Sequence, residues 1–119
     1  KYNLISDDRG SFSEILQSST KGQTSYSYTN PNFIRGNHFH TRKIERFSVL
    51  EGDALIEMRK IGTDKVFSFK LSGNKPSYVD MKIWHTHNIQ NIGKTNLITL
   101  FWINEFFKEE DSDTFSEKV

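Results

Sequence analysis

Residues 35–52, RGNHFHTRKIERFSVLEG, decide how the rest of the chain is read. His38 and His40 stand two positions apart, so on an extended strand both project from one face. Glu45 follows, and Gly52 closes the stretch where an apolar strand carrying Phe47 and Val49 would turn. Two imidazoles and a carboxylate from neighbouring backbone form a ligand set suited to zinc, iron, manganese or nickel. A further ligand has to come from elsewhere in the chain. The remaining histidines, His85 and His87, are the candidates, so all four histidines fall in two places.

Outward from this stretch the chain keeps a period of two. Residues 44–50 and 54–60 read as strands joined at Glu51-Gly52-Asp53, with Leu55, Glu57 and Arg59 alternating against Ile56, Met58 and Lys60. Upstream, segments 2–5, 11–17, 23–29 and 33–40 are predicted strands, broken by turn-forming runs such as Asp7-Asp8-Arg9-Gly10 and Asn30-Pro31-Asn32. Downstream, 66–71, 78–81, 87–92 and 96–104 bring the count to about ten, the pattern of an all-β sandwich or barrel. Segment 105–119 leaves the pattern, being acidic with scattered aromatics, and a short helix or packed tail is expected there.

Composition narrows the function classes. A chain of 119 residues is long enough for one domain with its own core. It has no cysteine, which excludes disulfides and thiolate metal sites and is compatible with the expected cytoplasmic location. The net charge of +1, with both signs interspersed, offers no basic face for nucleic acid or an anionic membrane. No apolar run is long enough to span a bilayer, and no signal peptide is evident. Ten phenylalanines, four tyrosines and two tryptophans favour strands and large buried contacts. Because the chain begins at Lys1, a fragment of a larger enzyme is the expected reading.

In order and spacing, Gly36, His38, His40, Glu45 and Gly52 resemble the first motif of the cupins, with a shortened interval after Gly36. The second cupin motif, Pro-x-Gly-x-x-His-x-x-x-Asn, is similar to the frame ending in His87 and Asn91, with Lys82 at its proline and Trp84 at its glycine. The resemblance implies an all-β cupin fold, a double-stranded β-helix of jelly-roll type. It also implies a divalent metal, zinc foremost, on His38, His40, Glu45 and His87. His85 falls where the motif carries no ligand. Losing the proline at position 82 costs about 0.4–1 kcal/mol through the unfolded chain, so the loop carrying His87 is expected to be the least secure part of the site.

Two more stretches narrow the family. Asp8-Arg9-Gly10-Ser11-Phe12-Ser13-Glu14 resembles the N-terminal segment of the 3,5-epimerases of dTDP-4-keto-6-deoxyhexoses, and Arg35-Gly36-Asn37-His38 resembles their Arg-Gly-x-His. That likeness implies Arg9, Phe12 and Glu14 at a nucleotide base and Arg35 at a diphosphate. Over nearly its whole length the chain resembles the C-terminal cupin domain of the CapF family of capsular-polysaccharide enzymes, through FSEIL at 12–16, RGNHFHTRKIERF at 35–47 and IWHTHNIQNIG at 83–93. In that family an NADPH-dependent short-chain reductase precedes the cupin. The likeness implies an epimerase module acting at C3 of a UDP-4-keto-6-deoxy-N-acetylhexosamine, on the route to UDP-N-acetyl-L-fucosamine. No Gly-rich dinucleotide fingerprint occurs here, so the reductase and its NADPH are assigned to a part of the enzyme outside this chain.

Epimerisation beside a ketone needs a base, stabilisation of the oxygen that gains charge, and a proton donor on the opposite face. Lys43, sharing a face with Glu45 by alternation, and His85, beside the ligand loop, are the candidates for proton transfer. His38 serves as a base only if no metal holds it. Arg42 and Arg46 are read as solvent-facing cations. A homodimer is the expected assembly. Two other classes compete: a non-catalytic dimerisation module stapled by its metal, and a metal-dependent oxygenase using the same ligands.

Overall fold

Strands that carry apolar side chains at every second position bury them only when two sheets face each other. A computed structural model describing residues 1–119 shows that arrangement. The strands are β1 (Ile5–Asp7), β2 (Gly10–Ser18), β3 (Gly22–Thr29), β4 (Ile34–Phe39), β5 (Glu45–Glu51) and β6 (Asp53–Lys60). They continue as β7 (Val66–Ser72), β8 (Ser77–Met81), β9 (His85–Asn91), β10 (Leu97–Ile103) and β11 (Phe115–Ser116). One sheet has the order β1-β2-β3-β10-β5-β8 and the other β11-β4-β9-β6-β7, and every neighbouring pair is antiparallel. Consecutive strands β4, β5 and β6 therefore alternate between sheets, as the expected jelly roll requires.

The core follows the alternation. Phe47 and Val49 of β5 and Ala54, Ile56 and Met58 of β6 point inward, joined by Met81, Ile89 and Leu97. Leu71, Val79 and Phe101 pack against that cluster from its margin. The remaining space between the sheets, toward β2, β3 and β4, is an open cavity that shares Phe47, Ile89 and Phe101 with the core.

Most predicted strands lie within a residue or two of those observed. The first is displaced: the chain pairs at Ile5–Asp7, not at 2–5, because the tight turn at Asp8-Arg9 sets the register Ile5 to Phe12 and Asp7 to Gly10. Lys43 lies in the loop before β5, so strand alternation does not describe it. The tail is packed, with a single 3-10 turn at Glu109–Asp111 and a two-residue strand β11 beside β4. No helix is long and apolar enough to cross a membrane.

Candidate metal centre

The ligands expected from sequence are brought together. His38 sits on β4, His40 just beyond it, Glu45 opens β5, and His87 lies in the middle of β9 directly across from His38. One ligand atom from each falls within 4.8 Å of the others, so the four converge on one point. His40 and His87 are 3% and 0% exposed. The three rings crowd one another at 4.9 to 5.5 Å between centroids, and Phe47 closes the inner side edge-on to His87 at 5.5 Å.

Hydrogen bonding settles which ring nitrogen faces the centre. His40 Nδ1 lies 2.7 Å from the main-chain oxygen of Asp113, and His87 Nδ1 lies 3.0 Å from that of His85. A carbonyl can only accept, so each Nδ1 carries a hydrogen; His87 then presents its Nε2 lone pair inward, whereas His40 Nε2 shares a proton with Glu45 that a bound cation would replace. His87 Nε2 is buried with no hydrogen-bond partner, and His40 Nε2 stands 2.5 Å from Glu45 Oε1. A buried lone pair without a donor is costly unless something electrophilic meets it. A divalent cation fits this donor set of three imidazoles and one carboxylate.

The electrostatics agree. Burial, reinforced by the charge on His87, pushes His38 down to about 4, and burial also lowers His87. Both rings are therefore neutral at physiological pH, the form that binds metal. Burial also opposes charge on His40 and Glu45, but their mutual hydrogen bond outweighs it, raising His40 and lowering Glu45.

His38, His40 and Glu45 border a cavity of roughly 430 Å³, while His87 is fully buried off its wall; the cavity also brings in Arg9, Phe12, Glu14, Arg35 and Lys43. Arg35 donates to Thr29 Oγ1 and to the carbonyl oxygens of Tyr28 and Ser11, with no carboxylate bound to it. Burial and the nearby Arg9 lower its pKa, yet a guanidinium stays charged in water. Arg9 is half-exposed and forked onto Asp7, whose carboxyl that hydrogen bond pulls down to about 2. Glu14 accepts from Gln17 Nε2 at 2.9 Å.

Lys43 is 2% exposed, with Nζ donating to the main-chain oxygen of Ser112 at 2.9 Å. His85 is not brought to the cavity; its Nδ1 donates to Ile83 at the start of β9. Asn91, the residue that singles out His87 in the motif, is buried and takes no part in the centre. Its side chain ties β9 to Thr29, Thr95 and Gly93. Lys82 lies on an outer groove with Ile44, Asp80 and Trp102, outside the cavity, and His87 keeps its place beside the other ligands. Arg42 pairs with Glu105 and Asp111, and Arg46 with Asp80, as solvent-facing cations do.

Sequence reasoning missed the contribution of the tail. Phe107 and Thr114 line the cavity, and Asp113 contacts the loop between His40 and Glu45. The acidic run around Asp113 has neither period nor motif to signal that contact. Also missed was the bulge between Gly36 and His38 on β4. It lets Arg35 and His38, three residues apart, reach one cavity.

Comparison with known proteins places this site in a family. A Drosophila melanogaster CENP-C cupin domain superposes with a TM-score of 0.72 at 12% identity, over 87% of this chain and 70% of that one, which shows the cupin fold. The Staphylococcus aureus capsular polysaccharide assembling protein CapF superposes with a TM-score of 0.98 at 36% identity, over 100% of this chain and 35% of that chain. A Pseudomonas aeruginosa UDP-2-acetamido-2,6-beta-L-arabino-hexul-4-ose reductase is 35% identical over 98% of this chain and 31% of its own length. The chain thus spans about a third of these relatives. The model of the polysaccharide biosynthesis C-terminal domain matches residues 5–115, and the chain belongs to that family.

Proposed function

We propose that this chain is the epimerising module of a sugar-nucleotide enzyme, exchanging the proton at C3 of a UDP-4-keto-6-deoxy-N-acetylhexosamine for capsular polysaccharide synthesis. The observation that carries the reading is one cavity lined by three of the four clustered metal-ligating side chains, a buried lysine and an arginine bound to no carboxylate. The name of the Pseudomonas relative supports the substrate class: a UDP-linked hexul-4-ose has a C4 ketone, which acidifies the hydrogens on the adjacent carbons. A divalent ion on His38, His40, Glu45 and His87, zinc foremost for three imidazoles and one carboxylate, would polarise a carbonyl and stabilise the negative charge gained when C3 loses its proton.

The chain's own residues supply the rest. Lys43 is the one amine on the cavity wall and transfers the proton, while its bond to Ser112 holds Nζ in place. Arg35 has free donor capacity for a diphosphate. Phe12 offers a face to the nucleotide base, with Arg9 and Glu14 beside it. The apolar side, Phe47, Ile89 and Phe101, limits water at the reacting carbon. In this reading the chain works in the cytoplasm as a homodimer, joined to an NADPH-dependent reductase domain that takes up the epimerised ketone.

The test is deuterium incorporation at C3 when the metal-loaded chain meets the 4-keto sugar nucleotide in heavy water. Exchange that is lost in Lys43→Met supports the assignment; a metal-loaded chain that catalyses no exchange overturns it. A second reading has its own support, because four protein ligands are also the count of a closed structural zinc site. In that case chelation unfolds or splits the protein, and the sugar nucleotide neither binds nor exchanges.

A further inference from the structure

A metal site is held as much by what orients its ligands as by the ligands themselves. His38 and His87 face each other across paired strands, but His40 and Glu45 are joined only by the irregular loop 41–44. That loop has no sheet partner to fix it. Asn104, just past β10, bonds the end of the loop at Ile44, and Asp113, from the tail and more than sixty positions away in sequence, meets its first three residues.

Asp113 is 6% exposed. Its carboxylate accepts from the main-chain N–H of Thr41 at 3.1 Å, Arg42 at 2.9 Å and Lys43 at 3.1 Å, and from Thr41 Oγ1 at 2.5 Å. Consecutive N–H groups converging on one carboxylate form an anion nest. The carbonyl of the same residue accepts from His40 Nδ1 at 2.7 Å and so fixes the tautomer that aims Nε2 inward. Asp113 sits at φ 47°, a left-handed conformation that aspartate adopts more readily than most residues. From there its side chain and its carbonyl both reach the loop. Flanking contacts hold the latch at each end. Ser112 receives Lys43 Nζ, and β11 pairs with Phe39 and His38 on β4.

We propose that Asp113 is a positioning residue for the metal, a latch by which the C-terminal tail sets the orientation of His40 and the spacing from His40 to Glu45. This rests on the metal site proposed above. It makes the acidic tail part of the centre, although Asp113 touches neither metal nor substrate.

The experiment is a competitive metal titration of this chain and of Asp113→Ala, Asp113→Asn and the core variant Leu97→Ala, with the Co(II) absorption spectrum and thermal unfolding of each metal-free protein. Asp113→Ala is expected to lose about 10–100-fold in affinity and to change the Co(II) spectrum. Asp113→Asn keeps an acceptor without the charge and should fall in between. Leu97→Ala should lose thermal stability with little change in either metal readout. Should Asp113→Ala fail to fold, Asp113→Asn carries the comparison. Affinity and spectrum unchanged in the Asp113 variants, or changed no more than in Leu97→Ala, overturns the latch alone. A native chain that takes up no metal overturns the site itself.

Discussion

Trp84 shows how one residue can keep a backbone shape without the side chain that suits it. It stands where the second cupin motif has glycine, and its φ is 57°. A left-handed conformation costs a residue with a Cβ roughly 1–2 kcal/mol, and here the cost is offset by contacts. The ring stacks on Phe39 at 5.7 Å, the main-chain N–H of Trp84 donates to the carbonyl of His40, and its carbonyl accepts from the N–H of Ile61. Trp84→Ala and Trp84→Gly both lose the ring, but only alanine keeps the strain. Denaturant unfolding should therefore show Trp84→Ala less stable than Trp84→Gly by about 1 kcal/mol. The two neighbouring histidines differ as sharply. His87→Ala removes a buried ligand, whereas His85→Ala removes a ring outside the cavity. Metal analysis of the purified variants should show His87→Ala nearly empty and His85→Ala close to native. The reverse would reassign the ligand.

Among the elements, β4 does the most to place the centre, and it is irregular. Gly36 has φ 100° and Asn37 φ 58°, and the register shifts between Gly36 and His38. A Cβ on Gly36 would stand 2.7 Å from the carbonyl oxygen of His87 and 3.0 Å from Asn88 Cα, both backbone atoms of β9. Neither can rotate away, so Gly36→Ala should push β4 off β9 and separate His38 from His87. The expected cost is about 1–3 kcal/mol in urea unfolding, together with weaker metal binding. A stable variant with native affinity would mean that the two strands tolerate a wider spacing. On β6 the burden is packing alone. Ile56 is fully buried between the sheets, and Ile56→Ala should cost about 2–5 kcal/mol with metal stoichiometry unchanged.

For the whole molecule, the centre links stability to pH and to metal. In metal-free protein His38 titrates at about 4, against about 6.5 in the unfolded chain, so the unfolded state takes up the proton first as pH falls. Its contribution is full above pH 6.5 and is lost on the way down to pH 4, at most about 3–4 kcal/mol, and His87 acts in the same direction. His40 opposes them. Its raised pKa contributes fully below the unfolded value and fades as pH rises through the folded one. With two rings depressed and one raised, the denaturation midpoint in chelator should fall from pH 6.5 to pH 4.5, and His38→Gln should flatten that slope. Saturating metal, at about a thousand times its dissociation constant, should add about 4 kcal/mol near neutrality. An absence of any shift on adding metal at pH 7 would count against the centre.

The all-β class, most strand positions and the candidate ligands His38, His40, Glu45 and His87 are legible in the order of the residues alone. Those signals are local: a period of two, turn residues, and histidines at motif intervals. His87 was legible over His85 because the motif counts back from Asn91, although Asn91 serves as a brace between β9, β3 and the following turn. Only the folded chain sets what surrounds the candidate centre. It placed Lys43 in a loop, removed His85 from the cavity, turned Arg35 to the same side as His38 through a bulge, and brought Asp113 back across the chain to the loop before Glu45. Those contacts join backbone to side chains far apart in sequence. A carboxylate that will meet three amide groups in a nest has no neighbours in the sequence that announce them.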